Sequence, residues 1–143
     1  MANSQRVDAD ALRIGMLAGI FTRADAVTWA DLMVAELDKP CGALIDLSMS
    51  EGMDGSSFSA LLSAIPGEED AALTKKVLLA KVRTKLASGE VADIVPCVAQ
   101  LEDLVAFSDE EKAFAGRLAS LSKADAQAFL DAYDVTGQTT LLG

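Results

Sequence analysis

Histidine is absent from this 143-residue chain. That removes the side chain that titrates nearest neutral pH and serves most often as general base, proton shuttle and transition-metal ligand. Aromatic residues are also scarce, at 5%, so a core has to be built from Leu, Ala, Val, Ile and Met. Such a composition favours closely packed helices over sheets of aromatic and β-branched strands. Cysteine occurs twice, at Cys41 and Cys97. This is too few for a disulfide framework, and a reducing compartment would keep both as thiols. No apolar run approaches the roughly 20 residues that a membrane span needs. The short run Ile14 to Phe21 is preceded by Asp8 and Asp10, where a secretory signal would carry positive charge. Neither a signal peptide nor a membrane anchor is expected, and the expected location is the cytoplasm.

What is present describes a globule. The apolar fraction is 51%, mean hydropathy is +0.29 and charged residues make up 24%. These values stand well clear of the low hydrophobicity of disordered chains, and the length fits one domain spanning residues 1–143. Twelve basic residues against 22 acidic ones leave a net charge of −10. Long-range repulsion from phosphate backbones and anionic lipid follows, so neither nucleic acid nor a membrane surface is an expected partner.

Helical periodicity and capping signals recur along the chain and predict an all-α fold, a single compact bundle of about six to eight helices. Ala2 to Gln5 reads as a polar leader, followed by a helix from about Asp8 to Ile20 with Val7, Leu12, Ile14, Leu17, Ala18 and Phe21 near one stripe. Thr22-Arg23-Ala24-Asp25 and Thr28-Trp29-Ala30-Asp31 are alternative starts for a second helix that Pro40 stops. Ala43 to Leu47 suits a short helix or a strand. Helix is favoured, because no second strand candidate exists to pair its backbone. A turn-rich loop, Ser50 to Ser57, precedes a short helix from Phe58 to Ile65, and Pro66-Gly67 breaks the chain before the longest helix, Glu68 to Ala87. Pro96 lies inside the next periodic stretch, so a helix starting near it is preferred, with Glu90 to Val95 as a separate turn. Ser108-Asp109-Glu110-Glu111 is a capping box, and Ser122-Lys123-Ala124-Asp125 opens a last helix carrying Phe129, Leu130 and Tyr133 up to Gly137. The likeness of the Thr22 and Ser122 segments is read as two uses of one capping chemistry. The expected core comprises Leu17, Trp29, Leu32, Leu37, Leu44, Leu61, Leu79, Leu86, Leu104, Phe114, Leu118 and Phe129.

Catalysis without histidine would fall to carboxylates, thiols, lysine or hydroxyls. The pairs Glu90 with Asp93 and Asp131 with Asp134 sit three residues apart and would share a helix face. Lacking a third ligand in sequence, they read as solvated faces before cation sites. No nucleophile elbow, phosphate loop or calcium loop occurs, so no catalytic residue, cofactor or metal is assigned. Both cysteines follow proline. If each proline takes the first helical position, the helix dipole would stabilise thiolate at Cys41 and Cys97, the two candidate reactive thiols; the alternative is a small buried side chain. Trp29 and Tyr133 read as core or interface anchors.

Charge is segregated. Lys75, Lys76, Lys81, Arg83 and Lys85 lie in a stretch free of acids, and Glu90, Asp93, Glu102, Asp103, Asp109, Glu110 and Glu111 lie in one free of bases. Such neighbours can attract one another within the fold. Alternatively, Glu102, Asp103, Asp109, Glu110 and Glu111 form an exposed surface that steers a basic protein partner. The segment Trp29-Ala30-Asp31, with Asp38, Pro40 and Ala43-Leu44-Ile45-Asp46-Leu47-Ser48 after it, resembles a pattern in small uncharacterised bacterial helical proteins. The resemblance implies a bacterial cytosolic helical domain and no particular activity. The expected function is a non-enzymatic interaction module of the immunity-protein, inhibitor or adaptor kind. The alternative is a helical bundle binding a small apolar ligand.

Overall fold

The computed structural model describes residues 2–133 together with Val135, Thr139 and Leu141, with side chains from Gln5 onward. Its elements are α1 (Ala2–Ala18), α2 (Arg23–Glu36), α3 (Gly42–Ser48), α4 (Gly55–Ser63), α5 (Ala71–Ala87), α6 (Val91–Leu104), α7 (Asp109–Arg117) and α8 (Lys123–Leu130). A 3-10 turn, Leu118–Ser120, follows α7, and the described residues contain no strand. The all-α architecture predicted from periodicity is therefore what forms, with Ala43 to Leu47 helical inside α3.

Helix α1 is the centre of the bundle and packs against α2, α4, α5 and α6. Every residue from Val7 to Leu12 is buried, including Asp8 and Asp10. Residues Ala2 to Gln5 belong to this helix and form no separate leader. Ala, Gln and Arg are good helix formers, and burial from Val7 onward anchors the turn that precedes it. The helix ends at Ala18 because Gly19 takes a positive φ of 78°. Ile20 N–H donates to Gly15 O at 2.7 Å and Gly19 N–H to Met16 O at 3.3 Å, the paired bonds of a Schellman terminus. Gly15 has a second duty: a Cβ there would collide with the Phe21 ring and lie 3.2 Å from Leu78 of α5.

The cap signals place most other boundaries. Thr22, and not Thr28, starts α2: its hydroxyl accepts from Asp25 N–H at 3.1 Å, and the Asp25 carboxylate accepts from Thr22 N–H at 2.8 Å. Ser122 caps α8 through Asp125 N–H at 3.1 Å. Asp54 caps α4 by accepting from Ser57 N–H at 2.7 Å, so this helix starts three residues earlier than Phe58. Asp70 does the same for α5 through Leu73 N–H at 3.0 Å, leaving Glu68 and Glu69 before the helix. Tyr133 lies beyond the end of α8, and Gly137 falls outside the described residues.

Pro96 does not start a helix. It lies inside α6, which begins at Val91 with the Asp93 carboxylate accepting from Glu90 N–H at 3.1 Å. An interior proline costs about 3 kcal/mol by deleting one backbone bond and crowding a carbonyl. Here Pro96 and Ala92, whose carbonyl loses that partner, are both on the exposed side, where water can solvate the carbonyl. Ile94, Val98 and Leu101 are buried on the opposite arc and hold the helix through the proline.

The core contains Trp29, Leu44, Leu79, Leu86, Phe114 and Leu118 as expected, with Leu37, Leu61 and Phe129 half-buried at its edge. Leu17 is 61% exposed, Leu32 41% and Leu104 37%, so these three are corrections. At about 100° per residue, Leu17 shares the side of α1 that carries Arg13 and Asp10, away from the arc of Val7, Ala11 and Ala18, and lies beyond both at the C-terminal end of the helix. Leu32 departs in the same way from the Ala26, Trp29, Ala30, Met33 arc of α2. Leu104 is the last residue of α6, beyond the buried Ile94, Val98 and Leu101.

Acidic corner and candidate ligand pocket

Of the predicted surface acids, Glu102 and Asp103 end α6, and Asp109 and Glu110 open α7, on either side of the short turn 105–108. All four are exposed, and none forms an ion pair among the described residues. Glu111 is different, being only 4% exposed, and this corrects its expected place on the surface. Its Oε1 accepts from Ser108 N–H at 2.7 Å and lies 2.8 Å from Lys75 Nζ; its Oε2 accepts from the Tyr133 hydroxyl at 2.6 Å. Lys75 also donates to Ala106 O at 3.2 Å. One carboxylate thus ties α5, the α6–α7 turn and the segment after α8. The capping-box spacing disclosed the cap, while Lys75 and Tyr133 are long-range partners that spacing alone does not reveal. Burial pushes the Glu111 carboxyl up, but the bonds from Lys75, Tyr133 and Ser108 and the Lys75 charge outweigh it and hold the pKa below its ordinary value. The same burial, with the hydrogen bond to Glu111, raises the Tyr133 phenol.

The thiols are not placed at second helical positions. Cys41 is the residue before α3, and Cys97 lies within α6, one residue past the interior proline. Both are free and half-buried, and Cys97 Sγ rests 3.8 Å from Gly19 O and from Asp93 O. Among the acid pairs, Asp93 serves as a cap and Asp131 pairs with Arg83 at 2.6 Å, while Asp134 lies outside the described residues. No three His, Cys, Asp or Glu side chains gather as metal ligands among the described residues.

The site that sequence reasoning missed is a pocket of about 460 Å³ between α1, α5 and the end of α6. Asp10, Arg13 and Ile14 come from α1, and Glu69, Thr74 and Lys75 from α5 and the residues before it. Leu104, Val105 and Ala106 supply the third wall, which explains why Leu104 is only partly covered. Asp10 Oδ2 accepts from Arg6 Nε at 3.2 Å, whereas Oδ1 has only the Arg13 guanidinium at 3.9 Å, beyond hydrogen-bond reach. Asp10 Oδ1 and Thr74 Oγ1 are shut off from water and lack hydrogen-bond partners among the described residues. A buried polar atom left in this state costs about 1–3 kcal/mol. Burial raises the Asp10 pKa, and the charges of Arg6 and Arg13 pull against that rise. The sequence did carry a signal: Arg6, Asp10 and Arg13 recur at helical spacing on one face of α1.

Fold and site together define an all-α bundle with a pocket of mixed charge and apolar lining. The chain matches no protein-family model, no curated protein and no solved structure.

The Glu111 cluster has a measurable pH signature. Because its folded pKa lies below the ordinary value of 4.5, its contribution is fully present above that value and is lost as pH falls through the folded pKa. Glu111→Gln should therefore cost about 2 kcal/mol at pH 7. Urea unfolding at a series of pH values should show the gap between native and variant closing below the ordinary Glu range. A gap independent of pH would contradict the assignment.

Proposed function

We propose that this chain is a non-enzymatic binding protein and that the pocket between α1, α5 and the α6–α7 turn holds a small ligand. The observation that carries the reading is a pocket of about 460 Å³ whose lining residues include Asp10 and Thr74, each with one side-chain oxygen behind the surface that is shut off from water and unpartnered among the described residues. Small-molecule pockets occupy about 300–1,000 Å³ and combine apolar walls with a few convergent polar groups. Ile14, Leu104 and Val105 supply the apolar part here. The absence of histidine favours binding over catalysis. The resemblance of the Trp29 to Ser48 segment favours a bacterial cytoplasmic setting, and no helix among the described residues is long and apolar enough to cross a membrane. Titration of the ¹⁵N-labelled protein with 1-hexanol should move the amides of residues 13–14, 72–75 and 104–106 saturably. Ala72→Trp, placed at an exposed helix position in the lining, should abolish the effect. Shifts spread over the whole surface, or unaltered by the tryptophan, would refute the pocket.

A second reading, favoured by the four exposed carboxylates around partly covered Leu104, unpaired among the described residues, is an immunity, inhibitor or adaptor-type module. It would meet a basic protein through Glu102, Asp103, Asp109 and Glu110. Exposed charge acts mainly on association rate, so Glu102→Gln with Asp103→Asn should slow association at low salt by about threefold or more while leaving stability intact. The partner is to be captured from native cells, and unchanged kinetics with it would reject this corner as the steering surface.

A further inference from the structure

Resting on the pocket reading, we infer that the ligand class is a free amino acid with an apolar side chain, bound as the zwitterion. The wall carries both signs of charge in balance: Asp10 and Glu69 against Arg13 and Lys75. An anion alone would face the two carboxylates, and a cation alone the two bases. A molecule with both charges at one end and an apolar body meets all three parts of the lining.

The charged groups differ in how far they are already committed. Lys75 is held by Glu111 at 2.8 Å and by Ala106 O at 3.2 Å, so two of its three N–H donors are already used. Arg13 is the uncommitted base. Its guanidinium is partly exposed and its one ion pair among the described residues, to Asp10, is long at 3.9 Å. The planar fork is therefore left for a carboxylate, which it matches with two parallel bonds. On the acidic side, Glu69 is exposed and gives one oxygen, Oε1, to Arg6 at 2.9 Å, leaving Oε2 to accept from an ammonium. Movement of Arg13 toward a ligand carboxylate would also uncover Asp10 Oδ1, the oxygen it now flanks. The ammonium would then satisfy this oxygen, which lacks a hydrogen-bond partner among the described residues. Ile14, Leu104 and Val105 receive the side chain.

Four probes divide the chemistry: L-leucine, L-leucinamide without the carboxylate, N-acetyl-L-leucine without the ammonium, and 1-hexanol with neither. Amide shifts of the full chain should report L-leucine binding at the residues of the pocket, at least about tenfold tighter than either singly charged analogue, as expected when a charge-assisted hydrogen bond is lost. Arg13→Gln should weaken L-leucine to the level of leucinamide and leave leucinamide itself nearly unchanged, with the spectrum elsewhere confirming the native fold. Equal affinity for N-acetyl-L-leucine or for leucinamide would overturn the zwitterion in favour of a simple anion or cation site. Binding of 1-hexanol without L-leucine would overturn the ligand class and leave the pocket standing. No binding by any of the four would overturn the pocket reading itself.

Discussion

A helix buried around most of its circumference cannot carry carboxylates unless the surrounding chain brings donors to them, and α1 carries two. Arg6 answers for Asp10. Its Nε lies 3.2 Å from Asp10 Oδ2, one terminal nitrogen donates to Ser63 O at 2.6 Å and to Ile65 O at 3.2 Å, and the other reaches Glu69 at 2.9 Å. The guanidinium thereby fixes the end of α4 and the connector around Pro66-Gly67 against α1, which sets where α5 begins. Asp8 is served separately, by the Trp29 indole N–H at 3.3 Å and by the Thr139 hydroxyl, linking α1 to α2 and to the C-terminal segment. Removing one partner of a buried pair strands the other charge, at about 3–5 kcal/mol.

The scarcity of aromatics has a structural counterpart. Ala9, Ala11, Ala26, Ala30 and Gly15 line the centre, so helices approach closely and large side chains are kept to a few places. Phe21 fills the space over Gly15, and Phe114 stacks on Phe129 with centroids 4.1 Å apart where α7 meets α8. The third side of this arrangement is the α6–α7 turn, fastened by Glu111 to Lys75. Because Arg6 engages one oxygen of Asp10 and Lys75 is drawn to Glu111, the space between them is left with Asp10 Oδ1, Thr74 and Arg13 incompletely matched. The pocket is thus a consequence of how Asp10 and Glu111 are held.

Features that depend on local backbone chemistry were legible in the sequence: the caps at Thr22, Ser108 and Ser122, and the helical state of Ala43 to Leu47 for want of a pairing strand. Features decided by which neighbour covers which arc were not. Leu17, Leu32 and Leu104 have the right hydrophobicity in the wrong place on their helices, and Pro96 survives inside α6 because the carbonyl it orphans, that of Ala92, is on the wet side. Glu111 read as surface charge because its partners lie 36 positions upstream, at Lys75, and 22 downstream, at Tyr133. The pocket was hidden for the same reason, since its walls come from three segments distant in sequence, although the Arg6, Asp10, Arg13 row marked one of them.

The most direct test of this account is a double-mutant cycle on Arg6 and Asp10, read by urea unfolding of the full chain at pH 7. If α1 is held by a half-buried cation matched to a buried carboxylate, Arg6→Met alone should cost about 3 kcal/mol, and Arg6→Met with Asp10→Leu should cost clearly less than the sum of the single changes. Additive losses, or a negligible effect of Arg6→Met alone, would contradict the claim that this pairing organises the bundle.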